Sequence, residues 1–271
     1  MKILITGAAG QLGSQIIEQL RHRIPVGQIV AGVRRVELAG PLKEQGIEVR
    51  YMDYDDPESL ETAVHGISRL LLISSPHQDD SVRLTQHKQV IAAAKAGGVK
   101  HLLYTGLAFS GWTAGKDTPD NVHALTEQAI VASGLEYTFL RNGLYMDFVV
   151  VLGLKEAMSK GELVTAPGAW AFNSVTRADL ALAAAVVLGS EASGNQVYEL
   201  AAPQTWNFAD LAAVLAEAGG RKVVHREDAG VQHWIYAFLS RLDTFSTSRD
   251  LEQLMGRPVT PLKESILPFL E

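Results

Sequence analysis

The stretch ILITGAAGQLG, residues 3–13, lies near the start of the chain and decides the fold. Its apolar run from Ile3 to Ile5 is typical of a buried β-strand. An amphipathic run from about Gln11 to Arg23 follows and is typical of an α-helix. The sequence therefore predicts a strand that turns through a glycine-rich segment directly into a helix.

Each of the three glycines in this turn has a separate physical role. Gly7 permits the tight turn after the strand, Gly10 lets the backbone approach a pyrophosphate, and Gly13 lets the helix pack closely on its strand. The helix N-terminus adds free N–H groups and a positive partial charge, both of which favour phosphate. We therefore expect dinucleotide binding here, and an ordinary glycine-rich strand–helix turn is the alternative.

The residues after the second predicted strand, Gln28–Val33, distinguish between two dinucleotides. An NAD-binding chain places Asp or Glu about 20 residues after the glycine-rich turn, where the carboxylate accepts hydrogen bonds from the ribose 2′-hydroxyl. Here Arg34 and Arg35 occupy that place, and the first acid is Glu37. Because a guanidinium pairs with a 2′-phosphate, the sequence predicts NADP(H). Two solvated arginines at a helix start are the alternative.

Composition argues against several classes of protein. The 271 residues carry a formal net charge of −6 and no basic stripe, so we expect no nucleic-acid partner. A chain without cysteine has no disulfide and no Cys-ligated metal. We expect no signal peptide, since a strand starts at residue 2, and no membrane partner, since the most apolar helix, near Leu180–Leu188, is too short to span a bilayer. These features predict a cytoplasmic protein.

Strands and helices alternate along most of the chain. Apolar runs rich in β-branched residues predict strands at Lys2–Thr6, Gln28–Val33, Ile47–Met52, Arg69–Ser74, His101–Thr105, Glu136–Arg141 and Gln196–Leu200. Helical periodicity is predicted near residues 11–23, 36–45, 57–65, 81–97, 121–133, 147–160, 177–189 and 207–219. Strands joined by helices imply parallel βαβ units, and therefore an α/β fold with a doubly wound parallel sheet of the Rossmann type.

The alternation becomes irregular after residue 141. We expect residues 1–141 to form a dinucleotide-binding Rossmann core and residues 142–271 to be a mixed region. Within that region, 142–176 and 222–271 contain loops, short helices and several aromatic residues, and they are predicted to build a smaller C-terminal substrate lobe. Residues 177–221 are predicted to return to the core as a strand and helices.

Several motifs together resemble a known family. The Thr6-Gly7-x-x-Gly10-x-x-Gly13 turn, Arg34, and Asp53-Tyr54 after the third strand resemble an atypical short-chain dehydrogenase/reductase of the NmrA-like group. The stretches Asn121-Val-His123-Ala-Leu-Thr-Glu127 and Tyr137-Thr-Phe-Leu-Arg141-Asn142-Gly143-Leu-Tyr145 are similar to the NADPH:quinone oxidoreductase and triphenylmethane reductase branch of that group. The resemblance covers essentially the whole chain and is strongest over residues 1–150.

The resemblance implies a set of NADP(H)-binding residues that follow the predicted strands. The pyrophosphate is expected at Thr6, Gly7, Ala9, Gly10, Gln11 and Leu12. The 2′-phosphate is expected at Arg34 and the adenine at Asp53. The nicotinamide ribose is expected beside Ser74, Ser75 and Pro76, for which a capped turn is the alternative. The nicotinamide end is expected against Asn142, Gly143, Leu144 and Tyr145.

The catalytic pair of ordinary short-chain dehydrogenases is absent from this sequence. Those enzymes use Tyr-x-x-x-Lys, and none of the seven tyrosines here has lysine four residues later. His123 occupies the helical position where related reductases keep the lysine, so we name it a candidate proton donor. Ribose positioning or a surface location without a proton role is the alternative. Tyr145 is the second candidate acid, and an aromatic pocket wall is its alternative.

Hydride acceptors that need little proton delivery suit such a site. Quinones and cationic dyes take hydride into a delocalised system, so the resemblance predicts an NADPH-dependent reductase with a small-molecule electron acceptor. An NADP(H)-binding redox-sensing regulator is the alternative, and a homodimer stays open as the oligomeric state. No metal is predicted, since the histidines are scattered. Side chains that could line an apolar acceptor slot, or else fill the core, are Phe109, Trp112, Met146, Phe148 and Trp170.

Overall fold

The computed structural model describes residues 1–113, 121–191 and 194–270. In this part of the chain the strands are β1 (Ile3–Ile5), β2 (Ile29–Val33), β3 (Glu48–Tyr51), β4 (Arg69–Ile73), β5 (His101–Leu107), β6 (Glu136–Asn142), β7 (Glu162–Thr165), β8 (Gln196–Leu200) and β9 (Val224–Glu227). All seven strands that the sequence predicts are present, with ends displaced by at most two residues.

The helices that lie between these strands occur in the order that the periodicity predicts. They are α1 (Gln11–Leu20), α2 (Gly40–Glu44), α3 (Pro57–Ala63), α4 (Asp80–Ala96), α5 (Val122–Ser133), α6 (Leu154–Lys160), α7 (Arg177–Gly189), α8 (Phe208–Gly219), α9 (Trp234–Leu239), α10 (Asp250–Met255) and α11 (Leu262–Ile266). Short 3₁₀ helices cover Val26–Gln28, Val36–Leu38, Met146–Leu152 and Leu267–Phe269.

The chain divides into two compact units. The first contains Met1–Asn142 and Leu180–Glu199, and the second contains Gly143–Asp179 and Leu200–Glu271. The sequence analysis predicts that residues 177–221 return to the core. In the structure only 180–199 belong to the first unit, and 200–221 lie in the second. Helix α8 is the reason: its buried side chains Phe208, Leu211 and Leu215 join the hydrophobic cluster of the second unit.

The seven-stranded sheet confirms the predicted Rossmann architecture. Its strand order is β3-β2-β1-β4-β5-β6-β8. The pairs β1–β2, β1–β4, β2–β3, β4–β5 and β5–β6 are all parallel. The order reverses between β1 and β4, and ligands of such sheets bind beyond the carboxyl ends of the strands at this switch point. The loops after β1 and β4 are therefore the expected ligand loops.

Apolar side chains from strands and helices form the core of the first unit. Leu4, Leu70 and Leu102 on neighbouring strands are fully buried together with Leu60 of α3 and Val90 of α4. Burial of side chains of this size stabilises a fold by about 1.5–3 kcal/mol each. This packing holds the strand ends, and hence the loops that follow them, in fixed positions.

The second unit has its own core and its own small sheet. Strands β7 and β9 pair in parallel, and Phe148, Phe172, Trp206 and Phe208 pack ring against ring. The sequence analysis missed both strands. They are four residues long and carry charged residues, so they show no clear alternation. The predicted helix 147–160 is interrupted at Gly153, whose φ of 67° ends a 3₁₀ helix before α6 begins.

Among the residues that the structure describes, no helix is both long enough and apolar enough to cross a membrane.

The packing of α1 against the loop after β1 generates a stability prediction. A Cβ atom at Gly13 would overlap the carbonyl oxygen of Gly7 and lie 2.9 Å from the Cα atom of Ala8. We expect Gly13→Ala to lower the free energy of unfolding by about 1–3 kcal/mol, because backbone must move to admit the methyl group. Denaturant unfolding followed by circular dichroism measures this loss.

Gly27→Ala is the matched control, since a Cβ atom there meets nothing within 4 Å. We expect a change of no more than about 0.5 kcal/mol in this variant. Equal stability of the two variants would show that residue 13 is not constrained by close packing.

Candidate functional site

The turn from β1 into α1 presents backbone N–H groups at the ligand edge of the sheet. Gly7 adopts a φ of 57°, and the N–H of Gly10 donates to the carbonyl of Gly7 at 2.9 Å. Gly10 precedes the first helical residue, Gln11, and offers no side chain to cap the helix. An α-helix leaves the N–H groups of its first turn without a backbone acceptor. These groups are therefore available to an anion.

The predicted pyrophosphate residues fall into two classes in the structure. Gly7, Ala9, Gly10 and Gln11 are exposed, as a cradle for a ligand requires. Leu12 and Thr6 are buried instead. Their side chains therefore stabilise the turn from inside.

The Thr6 side chain links β1 to β4. Its hydroxyl accepts from the backbone N–H of Ile73 at 2.9 Å and shares a hydrogen bond with the hydroxyl of Tyr54. Tyr54 in turn donates to the carbonyl of Ile73 at 2.8 Å. Burial raises the pKa of Tyr54, so the phenol stays protonated. These contacts hold the two strands together at the switch point.

Arg34 and Asp53 follow the neighbouring strands β2 and β3. Arg34 is exposed and pairs with no carboxylate among the described residues. Asp53 is held in place, since its N–H donates to Ser59 Oγ at 3.0 Å and its Oδ1 accepts from the N–H of Asp55 at 3.1 Å. An exposed guanidinium without a carboxylate partner suits a phosphate ligand.

The serines after β4 are anchored by helix α4. Ser74 donates its N–H to Thr105 Oγ1 at 3.0 Å, and its Oγ accepts from Arg83 at 2.9 Å. Ser75 is buried and donates its hydroxyl to Gln86 Oε1 at 2.5 Å. Pro76 is exposed. The two serine hydroxyls therefore fix the loop, which is consistent with the capped turn that the sequence left open.

His87 is a buried neutral imidazole behind this loop. Its Nε2 accepts from the N–H of Ser75 at 2.9 Å, so the proton is on Nδ1, which lies 2.8 Å from Thr126 Oγ1. Burial, and then the positive charge of Arg83, lowers the pKa of His87 from 6.5 to about 3. The sequence analysis missed His87, because a single histidine in a helical pattern gives no signal.

His123 is held by partners on two other elements. Its Nδ1 lies 2.9 Å from Tyr104 Oη, and its Nε2 lies 3.4 Å from an Arg83 nitrogen. Because a guanidinium only donates, Nε2 accepts and Nδ1 carries the proton. Burial first, and then Arg83, lowers the pKa of His123 to about 4, against a smaller opposite effect of Asp80.

A neutral His123 bears on its predicted role. An imidazole with such a pKa holds no extra proton to donate near neutrality. The lowered pKa therefore counts against proton donation by His123, and both proton donation and ribose positioning stay predictions. Neither Arg83 nor Tyr104 was found from the sequence, because they meet His123 only through the pairing of β4 with β5 and the packing of α4 beside α5.

The residues predicted at the nicotinamide end lie on both sides of the unit boundary. Asn142 is buried in the first unit, and its carbonyl accepts from the N–H of Ala108 at 2.9 Å. Gly143 and Leu144 lie in the second unit and bond through their backbone to Leu200 and Val175.

Tyr145 also lies in the second unit, and its ring is covered by a cation. The guanidinium carbon of Arg177 stands 4.3 Å from the ring centroid, and Arg177 also pairs with Asp147. This contact fits an aromatic wall, and the role of Tyr145 as an acid stays a prediction.

Three of the side chains considered for an acceptor slot are core residues of the second unit. Met146 and Phe148 are buried, and Trp170 packs against the same cluster. Phe109 and Trp112 are half-buried residues of the first unit, on the loop after β5. Of the five candidate slot residues, Phe109 and Trp112 therefore lie outside the core of the second unit.

Comparison with known proteins identifies the family. Residues 7–191 match the family model described as NAD(P)H-binding. The chain belongs to the NAD(P)H-binding family. It is 38% identical over 282 residues to quinone oxidoreductase 2 of Escherichia coli strain K12, and the match covers 97% of each protein.

Two solved structures extend the similarity to the whole fold. The triphenylmethane reductase of Citrobacter sp., complexed with NADP(H), is 43% identical with a TM-score of 0.89 over 100% of both chains. The Escherichia coli NADPH-dependent quinone oxidoreductase, complexed with NADPH, is 36% identical with a TM-score of 0.85 over 99% of this chain and 100% of that one. The resemblance to this reductase branch is confirmed.

The glycine-rich turn after β1 has backbone geometry that suits a dinucleotide. A Cβ atom at Gly10 would stand 3.1 Å from the carbonyl oxygen of Gly7, so a side chain would crowd the cradle. The N–H groups at the start of α1 suit a diphosphate and the exposed guanidinium of Arg34 suits a 2′-phosphate, and both contacts stay predictions. Among the described residues, no group of three or more His, Asp or Glu is placed to hold a metal ion.

The two neutral histidines predict a pH dependence of stability. Their folded pKa values lie below the ordinary value of 6.5, so the unfolded chain binds more protons than the folded protein below that pH. We expect the free energy of unfolding to fall as pH decreases from about 6.5 to 5, by on the order of 1 kcal/mol for each histidine. In His123→Asn, the part of this pH dependence that comes from His123 should be absent.

Denaturant titrations at several pH values measure the slope. His22→Asn is the control, since 61% of the His22 side chain is exposed. An unchanged slope in His123→Asn would contradict a neutral His123 in the folded protein.

Proposed function

We propose that this protein is an NADPH-dependent reductase that transfers hydride to a quinone or a similarly flat electron acceptor. The observation that carries the proposal is similarity over essentially the full length to two reductases whose solved structures hold NADPH or NADP(H). The glycine turn and the strand-end residues of the first unit support it independently.

The charges after β2 support NADPH over NADH. Arg34 stands where an NAD-binding chain would carry a carboxylate, and Asp53 follows β3 instead. A carboxylate after β2 would repel a 2′-phosphate, whereas a guanidinium pairs with it in a charge-assisted hydrogen bond. Binding of NADPH is therefore supported by charge at this position.

The chemistry of the acceptor fits the groups that this chain provides. Bound NADPH supplies a hydride, that is two electrons and one proton, and a quinone then takes one further proton from solvent to become a hydroquinone. The chain has no Tyr-x-x-x-Lys pair, His123 is neutral, and burial raises the pKa of Tyr104. The residues of the first unit would contribute mainly orientation and proximity.

The regulatory alternative has less support. A redox-sensing regulator needs the same dinucleotide fold, but the full-length relatives described above are named as oxidoreductases and reductases. The cytoplasmic location and the homodimer stay predictions.

A direct assay tests the proposed function. Purified protein is mixed with NADPH and a panel of acceptors, namely 1,4-benzoquinone, 1,4-naphthoquinone and a triphenylmethane dye, and the loss of NADPH absorbance is followed. We expect turnover with at least one flat acceptor. Tight NADPH binding in calorimetry without turnover of any acceptor would favour the regulator instead.

Arg34 generates a prediction about cofactor choice. We expect Arg34→Ala to weaken NADPH binding by about 1.5–3 kcal/mol, the range for a hydrogen bond to a charged group. Affinity for NADH should change little, because NADH has no 2′-phosphate. Isothermal titration calorimetry with both cofactors measures the two effects.

Arg35→Ala is the matched control, because Arg35 is also an exposed arginine without an ion pair among the described residues. An equal loss of affinity for NADPH and NADH in Arg34→Ala would exclude a contact of Arg34 with the 2′-phosphate. A selective loss in Arg35→Ala would assign that contact to Arg35.

A further inference from the structure

We propose that Phe109 is a specificity-determining residue for the acceptor, and that three charged side chains, two of them buried, hold its backbone in position at the end of β5. The proposal rests on the proposed reductase function. It concerns only the first unit and uses the residues from Ala108 to Trp112, which we name the β5 loop.

The backbone of Phe109 is in a conformation that its residue type disfavours. Its φ is 59°, and it is the sole non-glycine residue with positive φ in the described ranges. A bulky residue persists in the left-handed region only where surrounding contacts determine the conformation. Gly or Asn would adopt it with less strain. A phenylalanine in this disfavoured conformation therefore points to a use for its side chain.

Glu127, Arg141 and Glu199 form the charged group, which we name the Arg141 clamp. Arg141 donates from Nε to Glu127 Oε1 at 3.0 Å and from a terminal nitrogen to Glu127 Oε2 at 2.8 Å. Its other terminal nitrogen donates to Glu199 Oε1 at 2.7 Å. The Glu127 side chain is fully buried and that of Arg141 is 9% exposed. Such bidentate, desolvated pairs have little freedom to move.

The clamp carboxylates and guanidinium bond directly to the β5 loop. Glu199 Oε2 accepts from the N–H of Phe109 at 2.7 Å, and Glu127 Oε2 accepts from the N–H of Trp112 at 2.7 Å. Arg141 also donates to the carbonyl of Trp112 at 2.6 Å. These bonds fix the backbone on both sides of the loop.

Two further contacts complete the loop's conformation. A Cβ atom at Gly111 would overlap the Arg141 guanidinium, so only glycine fits there. Asn121, which caps helix α5, donates to the carbonyl of Ser110 at 3.0 Å. The left-handed backbone of Phe109 therefore follows from contacts on β6, α5 and β8.

The Phe109 side chain lies on this loop and stacks on no other aromatic ring among the described residues. It is half-buried and belongs to neither of the two hydrophobic clusters described above. The loop follows β5 at the edge of the sheet where ligands bind. An aromatic ring on a firmly held backbone at that edge can stack on a flat acceptor, and a larger flat acceptor would make a more extensive stacking contact.

The test compares two quinones of different size in Phe109 variants. Asparagine tolerates positive φ, so Phe109→Asn removes the ring and should leave the thermal unfolding midpoint no lower than that of the wild type. We expect KM for 1,4-naphthoquinone to rise about 3- to 10-fold and KM for 1,4-benzoquinone to rise less. NADPH affinity should stay unchanged. Phe109→Tyr keeps the ring and is the matched control.

Glu199→Ala tests the role of the clamp through Phe109. This variant removes the acceptor of the Phe109 N–H, and we expect it to raise KM for 1,4-naphthoquinone, as Phe109→Asn does. In the double variant with Phe109→Asn the effects should not add, because both act through one ring. An additive effect would show that Glu199 does not act through Phe109, and would overturn that part of the proposal.

The outcomes separate this proposal from the reductase function. Wild-type turnover together with unchanged KM values in Phe109→Asn would overturn the role of Phe109 and leave the reductase function intact. Absence of NADPH oxidation by the wild type with either quinone would overturn both.

Discussion

Helix α1 packs so closely on the loop after β1 that residue 13 has no room for a Cβ atom. This approach fixes where the helix begins, and its first N–H groups therefore stand at the carboxyl edge of the sheet. Parallel pairing places the ends of β2 and β4 at the same edge, so Arg34 and Ser74 follow strands that flank the turn. This steric constraint and the parallel pairing together place the predicted dinucleotide-binding residues at one edge of the sheet.

Two histidines beside the loop after β4, His87 and His123, have pKa values lowered well below 6.5. Burial is the main reason that both imidazoles stay neutral, and the permanent positive charge of Arg83 beside them adds to the effect. The Arg141 clamp holds its own charges in fixed pairs. A site built in this way orients its ligands and offers no strong proton donor among these groups. That property suits an acceptor which spreads the incoming charge over a delocalised system.

The sequence predicted most of the first unit because its signals are local. Apolar runs located the strands, and the glycine spacing located the turn at Gly7. The polar contacts around His123 could not be predicted, since Arg83, Tyr104 and His123 come from separate elements that only the sheet order brings together. The second unit was harder still. Helix α8 has the same periodicity as a core helix, and nothing in its sequence shows which apolar surface it covers.

Hydride transfer from NADPH to the acceptor can be followed by isotope transfer to a triphenylmethane dye. The central carbon of such a dye retains the hydrogen that it receives, unlike a quinone oxygen, whose hydrogen exchanges with water. The dye is incubated with this protein and NADPH deuterated at the 4R or the 4S position, and the product is analysed by mass spectrometry. If this protein transfers hydride from NADPH, the colourless product will carry one deuterium from one of the two cofactors and none from the other. Decolourisation without label from either cofactor would contradict hydride transfer from NADPH.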